Sequence, residues 1–231
     1  MATQVYDELA LLKSAQSRAD LKFHLVDHPL VRQSLAAMRD QATDMTSFRA
    51  AVAGLTPLLV YEATKDLPEQ AFAIHTPLSP IKARRVKPSV VLIPVLRSGV
   101  GMLAPTQRIF PSAPTIFAGM ARDEATAIAH WYLDLKDLKG LNSGKNAVFL
   151  VLDPMLATGG SALETIKRIK SIYPHGTIKL VVMIAAPEGI KAINQKYPEV
   201  AITTAAVDDH LNKNKYIVPG LGDAGDRQFG T

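Results

Sequence analysis

Asp153 closes an apolar run, V-F-L-V-L-D from Val148, and the chain then passes through P-M-L-A to T-G-G-S at Thr158–Ser161, where an amphipathic stretch begins. Backbone N–H groups at the start of a helix are unpaired and face the positive end of its dipole, so this is a natural seat for a phosphate monoester. Gly159 and Gly160 let the backbone approach such a group without a Cβ in the way, and the Thr158 and Ser161 hydroxyls add donors. Asp153 stands at the carboxyl end of its strand, where open α/β sheets place ligands, positioned for ribose hydroxyls or a magnesium shell. The same residues would also suit a plain capped turn. Arg97, in R-S-G-V-G, and Arg122, in G-M-A-R-D-E, each follow another apolar run. Two cations at strand ends facing a phosphate loop make a split anion site, suited to a free pyrophosphate that needs charge as well as amides.

The elements that must position these residues are visible in the periodicity. Val90–Leu96, Thr115–Met120, Ala147–Leu152 and Lys179–Ala185 are near-continuously apolar, as strands buried on both faces are. From Ser161 to Ile172, Leu163, Ile166, Ile169 and Ile172 recur on one face of a helix with Lys167, Arg168 and Lys170 between them. Ser47–Leu59 is also helical in pattern, with Pro57 expected to bend or break it. The fold class is α/β, a parallel sheet flanked by helices. No linker or internal repeat divides it, so one domain is expected. The first twenty residues are weakly patterned, a short helix or a frayed arm. The tail after Pro219, G-L-G-D-A-G-D-R-Q-F-G-T, is too Gly-rich for a helix and too near the end to pack a core.

Composition narrows the function classes. The 231 residues include no Cys, which removes disulfides, thiolate zinc sites and cysteine nucleophiles. The longest apolar stretches, such as Leu180–Ala186, fall well short of the ~18 residues that span a bilayer. The first twelve residues carry Asp7 and Glu8 and lack a signal-peptide pattern, so a cytoplasmic protein without membrane association is expected. A net charge of +5 fits anionic ligands. The densest basic cluster, Lys82, Arg84, Arg85 and Lys87, has no interleaved aromatic and fits a solvated loop better than a nucleic-acid face.

Several motifs compete for attention. Gly140–Asn146 is one residue short of a Walker loop and leads into a strand, and Gly220–Gly225 matches G-x-G-x-x-G with too little chain after it for a dinucleotide site. Gly99–Ala104, with Asp123 some twenty residues on, keeps a dinucleotide-dependent oxidoreductase open, although Arg97 is foreign to such a turn. Asp208-Asp209-His210 has the look of a metal cluster, but no further ligand follows at suitable spacing, and a polar turn is expected.

The sequence closely resembles the uracil phosphoribosyltransferases, a type I phosphoribosyltransferase family. The likeness is carried by H-P-L-V from His28, M-R-D from Met38, Y-E-A-T from Tyr61, P-V-L-R-S-G-V-G-M from Pro94, G-M-A-R-D-E from Gly119 and D-P-M-L-A-T-G-G-S from Asp153. A-A-P-E-G-I from Ala185 and Y-I-V-P-G-L-G-D-A-G-D-R-Q-F-G-T from Tyr216 complete it. These motifs cover about residues 22–231, leaving 1–21 as an amino-terminal extension. The resemblance implies the phosphoribosyltransferase fold with a small hood formed largely by the carboxyl-terminal segment. It implies transfer of ribose 5-phosphate from phosphoribosyl pyrophosphate to uracil, yielding uridine monophosphate and pyrophosphate. Asp153, Pro154, Met155, Leu156, Ala157, Thr158, Gly159, Gly160 and Ser161 would hold the donor's 5-phosphate and ribose. Arg97 and Arg122 would hold and stabilise its pyrophosphate, with magnesium as cofactor. Ile217, Gly222, Asp223 and Ala224 would bind uracil, largely through main-chain groups, with Asp223 also near the donor. Asp223 is the candidate for orienting or accepting the proton of the attacking ring nitrogen.

The chain departs from the family pattern at Ala121, where an aromatic is usual, and in A-T-A-I-A-H-W-Y after Glu124, where an acidic run is usual. That segment is expected to belong to a loop over the donor. The family also implies a homo-oligomer, and GTP is a candidate effector. An RNA-binding regulator on the same fold is the remaining alternative; the scattered basic residues and the intact base-binding tail speak against it.

Overall fold

The computed structural model describes residues 5–122, 129–133, 135 and 147–231. Helix α1 (Glu8–Ser17) leads into β1 (His24–Leu25), α2 (Pro29–Arg39) and α3 (Met45–Ala63). A hairpin of β2 (Glu69–His75) and β3 (Pro80–Val86) precedes β4 (Val90–Pro94) and α4 (Val100–Ile109). Then come β5 (Gly119–Arg122), β6 (Ala129–Leu133), β7 (Val148–Leu152), β8 (Met155–Leu156), α5 (Gly160–Ile172), β9 (Thr177–Ala185), α6 (Pro187–Lys196) and β10 (Ala201–Val207). The tail forms β11 (His210–Leu211), β12 (Ile217–Val218) and α7 (Ala224–Phe229).

The central sheet runs β1-β10-β9-β7-β4, all neighbours parallel, with β8 also pairing β9. Strands β4 and β7 are apolar and buried at every position because both faces are covered. Val91, Ile93, Phe149, Val151, Leu180 and Val182 join a core with Ala162, Ile166 and Ile169 of α5 and Ile190 and Ile193 of α6. Val90, Leu92, Leu150, Leu152, Val181 and Met183 face the other way, against α2, α3 and α4. Each fully buried side chain of this kind contributes roughly 1.5–3 kcal/mol of transfer free energy, so sheet and helices form one cooperative frame. Helix α1 rests on this frame through buried Ala15.

Three expectations change. The run Thr115–Met120 follows β4 in parallel register, bridging at Leu92↔Thr115 and Val95↔Ala118, but is no regular strand. Leu92 N donates to Pro114 O, Ile116 N to Leu92 O, Ala118 N to Pro94 O and Leu96 N to Ala118 O. The missing rung belongs to Pro94, which has no N–H to give. The chain then leaves the sheet as β5, antiparallel to β6. Pro57 lies inside α3 without ending it.

The tail is the third correction, since it does form a helix and does pack. Gly220, Gly222 and Gly230 all lie outside α7, and only Gly225 lies within it. Asp223 caps the start, its carboxylate accepting from Asp226 N at 3.0 Å, and left-handed Gly230 closes the end. Leu221, Ala224 and Gln228 are buried. No described helix is long and apolar enough to cross a membrane.

Candidate active site

Strand β7 delivers Asp153 to the carboxyl edge of the sheet. Pro154 continues the ladder, its carbonyl accepting from Met183 N (3.0 Å) and Ile184 N (3.1 Å), and β8 pairs on with Ile184 and Ala185. The loop is thereby held by the sheet before it turns into α5 at Gly159, whose φ of 82° suits glycine. Asp153, Met155, Leu156, Ala157, Thr158, Gly159, Gly160 and Ser161 line a cavity of about 110 Å3, on the scale of a phosphate group, at the N-terminus of a thirteen-residue helix. The structure brings these residues together in one loop at the start of α5.

Gly189 supports that loop from behind, and sequence reading gave it no role. A Cβ there would overlap the Ala157 carbonyl oxygen and lie 2.9 Å from Leu156 O. Helix α6 can approach the loop this closely only because position 189 has no side chain. The A-A-P-E-G-I motif was its one signal.

Arg97 lies between β4 and α4, on the same edge as Asp153. Its guanidinium meets Asp226 Oδ1 at 3.0 Å and donates to Thr231 Oγ1 at 3.2 Å. Next to it, the Ser98 hydroxyl donates to Asp153 Oδ1 at 3.4 Å, tying the Arg97 loop to the phosphate loop. Buried Gln228 donates to Ser98 O (3.0 Å) and Ala224 O (2.9 Å), tying both to the tail. A Cβ on Gly101 would overlap the Gln228 side chain, so this glycine makes room for α7. It is not needed as bare backbone beneath a dinucleotide. Asp123 and the decoy at Gly140–Asn146 lie outside the described residues, as does 123–128 of the loop after Arg122. Arg122 itself ends β5, where the chain leaves the edge beside Leu96; its side chain is not among those described.

In the tail, Ile217 is buried on β12, the Val218–Pro219 peptide is cis, and Gly222 (φ 78°) precedes the capping Asp223 and buried Ala224. Asp208 belongs to no metal cluster: it is fully buried and paired with Arg39, and no three described His, Asp or Glu side chains gather as ligands anywhere. The basic cluster lies on an exposed strand and not in the expected loop: Lys82, Arg84 and Arg85 belong to β3 and Lys87 follows it, Arg84 facing Glu69 at 3.6 Å and Arg85 covering the Phe72 ring.

Among the described residues, Asp153 carries the site's one large electrostatic perturbation. The residue keeps part of its surface open at the loop mouth, but its carboxyl is enclosed, and enclosure governs the charge. Burial pushes it up from 3.8 to about 7, only partly opposed by hydrogen bonds from Met155 N and Ser98. The folded chain therefore holds this proton more tightly than the unfolded chain. The associated stability is present below about pH 4 and lost as the pH rises through about 7. Ligand-free protein is expected to lose stability across that window more steeply than an Asp153→Asn variant, measured as urea midpoints; parallel profiles would contradict the assignment.

The "Uracil phosphoribosyltransferase" family model matches residues 25–231. A protein of that name from Malacoplasma penetrans is 45% identical over 205 residues, covering 89% of this chain and 97% of its own length. One from Levilactobacillus brevis is 42% identical over 212 residues, 91% and 99% of the two chains. Among solved structures, the AQ2163 protein of Aquifex aeolicus superposes with a TM-score of 0.82 at 34% identity, covering 90% of this chain and 98% of its own. Adenine phosphoribosyltransferase from Leishmania donovani, at 13% identity and a TM-score of 0.51 over 86% and 89% of the chains, shares the fold.

Proposed function

The chain belongs to the uracil phosphoribosyltransferase family and transfers ribose 5-phosphate from phosphoribosyl pyrophosphate to uracil, and we propose that three segments at one sheet edge divide this work. Residues Asp153–Ser161 take the donor's 5-phosphate and ribose, Arg97 and Arg122 take the pyrophosphate, and Ile217 with Gly222–Ala224 take uracil. The observation that supports this reading most strongly is the convergence of the segments: Ser98 touches Asp153, and Gln228 joins Ser98 to Ala224.

As the bond to pyrophosphate breaks, the anomeric carbon gains positive charge, and the protein's tasks are alignment and stabilisation of the leaving anion. Helix α5 fixes one end of the donor and Arg97 the other. The backbone rim of the tail faces the alternating acceptors and donors of uracil, and cytosine would leave buried groups unpaired. Among the described residues, Asp153 is the single carboxylate lining the phosphate loop. That suits magnesium, which takes one or two carboxylates and completes its shell with phosphate oxygens and water. When bound with the donor, the ion supplies charge neutralisation, and Asp153 would hold it. Division into an extension, 1–21, and a catalytic domain, 22–231, a cytoplasmic setting, a homo-oligomeric state and GTP as effector belong to the same proposal.

The test is formation of uridine monophosphate from uracil and phosphoribosyl pyrophosphate with magnesium, beside cytosine, hypoxanthine and orotate and repeated with GTP. Product is expected from uracil alone; none from any base would overturn the reading. Asp223→Asn belongs in the same assay. Asn caps a helix about as well as Asp, so the variant keeps α7 while removing a proton acceptor. Turnover is expected to fall more than uracil affinity; unchanged turnover would leave Asp223 a cap and nothing more.

A further inference from the structure

Gly220 is gripped at both its polar backbone atoms by one ion pair that has no place in the site so far described. Arg39, the last residue of α2, donates through Nη1 to Asp208 Oδ2 (2.8 Å) and through Nη2 to Asp208 Oδ1 (2.6 Å). The same Nη1 donates to Gly220 O at 2.8 Å, and Gly220 N donates to Asp208 Oδ2 at 2.8 Å. The Asp208 side chain is 0% exposed and that of Arg39 17%, so the pair is screened from water. Charge-assisted, bidentate bonds of this kind fix geometry as well as contribute energy.

The location of the grip gives it meaning. Gly220 sits between Ile217 and Gly222, two of the residues placed on uracil, with φ at 65°, and a Cβ on it would overlap Ile217 O. The next residue is held as well, its carbonyl accepting from Arg227 Nη1 at 2.9 Å, while Arg227 also reaches Met38 O and Asp40 O at the end of α2. Both attachments therefore run from the base-binding loop to the carboxyl end of α2. Neither runs to the phosphate loop or to the Arg97 loop.

We propose that Arg39 and Asp208 are a positioning pair for the nucleobase, holding the turn at Gly220 so that the backbone on either side presents uracil's pattern of donors and acceptors. They touch neither substrate nor donor, and they set base affinity and base choice while leaving donor handling to the other two segments. This rests on the functional reading above.

The experiment is steady-state kinetics on Arg39→Lys, Asp208→Asn and the double variant Arg39→Met/Asp208→Asn, each substrate varied in turn, with melting temperatures alongside. The double variant avoids leaving a buried carboxylate without its cation, which on its own could prevent folding. A backbone displaced by about 1 Å is expected to raise the uracil KM about 10- to 100-fold and lower the preference for uracil over cytosine, while the KM for phosphoribosyl pyrophosphate stays within about twofold of the parent's. Arg39→Lys, which keeps the charge but not the fork, is expected to fall between the parent and the double variant. A merely structural role would reduce the folded fraction, and with it turnover, at unchanged KM values. That result, or an equal rise in both KM values, would overturn the positioning role while the parent still makes uridine monophosphate. A parent inactive with every base would instead overturn the functional reading and this proposal with it.

Discussion

Arg97→Met is expected to lower turnover by about 10²- to 10³-fold, the loss that follows removal of one preorganised group from a developing anion, with little change in the uracil KM. The folded protein should hardly notice. Arg97's present partner, Asp226, is a surface group: their side chains are 57% and 47% exposed, and exposed pairs are worth about 0–1 kcal/mol. Losing a contact that weak cannot account for a loss equivalent to about 3–4 kcal/mol in the transition state. Rapid-quench or steady-state rates at saturating donor, set beside thermal melts, separate the two. Near-parental turnover would remove Arg97 from the leaving-group site, and a large drop in melting temperature would make it a structural residue.

Gly189→Ala is expected to cost about 10²-fold in kcat/KM for phosphoribosyl pyrophosphate through a residue that reaches no substrate. Its methyl group would overlap Ala157 O and crowd Leu156 O, and backbone atoms cannot swing aside as the end of a long side chain can. Either α6 moves out or the loop moves toward the cavity. A loop displaced by about 1 Å loses the alignment on which such sites depend, and overpacking costs a further 1–3 kcal/mol or so of stability. Donor affinity by calorimetry should weaken while uracil discrimination is retained, because the bonds that hold Gly220 and α7 run to α2, Asp208 and the Arg97 loop. Unaltered donor affinity would mean that the loop tolerates the shift.

What the sequence revealed about this site, and what it hid, divides along a physical line. The phosphate loop was legible because its parts are contiguous: an apolar strand, an acid, two glycines, hydroxyls and a helix all follow within Val148–Ile172. Three of the four apolar runs, Val90–Leu96, Ala147–Leu152 and Lys179–Ala185, were legible because burial on both faces leaves a local pattern. Pairings across the chain were not. Asp208 was legible only as part of a polar turn because its cation, Arg39, stands 169 positions away, and Gly189 is one letter in a motif whose meaning depends on α6 lying against Ala157. Helix α7 was hidden by counting glycines without asking which of them cap it. The rung lost at Pro94 depends on which strand lies beside it. Arg122 was placed by its strand alone, and its side chain lies outside the described residues.

The ties that complete the site have a consequence for how the protein folds. Arg39 to Asp208, Gln228 to Ser98 and Arg227 to Asp40 join residues 169, 130 and 187 positions apart. Closing loops of that length costs entropy that an already ordered sheet offsets, so these bonds are expected to form late. Far-UV dichroism, which reports helices and strands, is thus blind to the step that restores activity. In a refolding chain, enzyme assay and spectrum are expected to follow different events, the assay the last one.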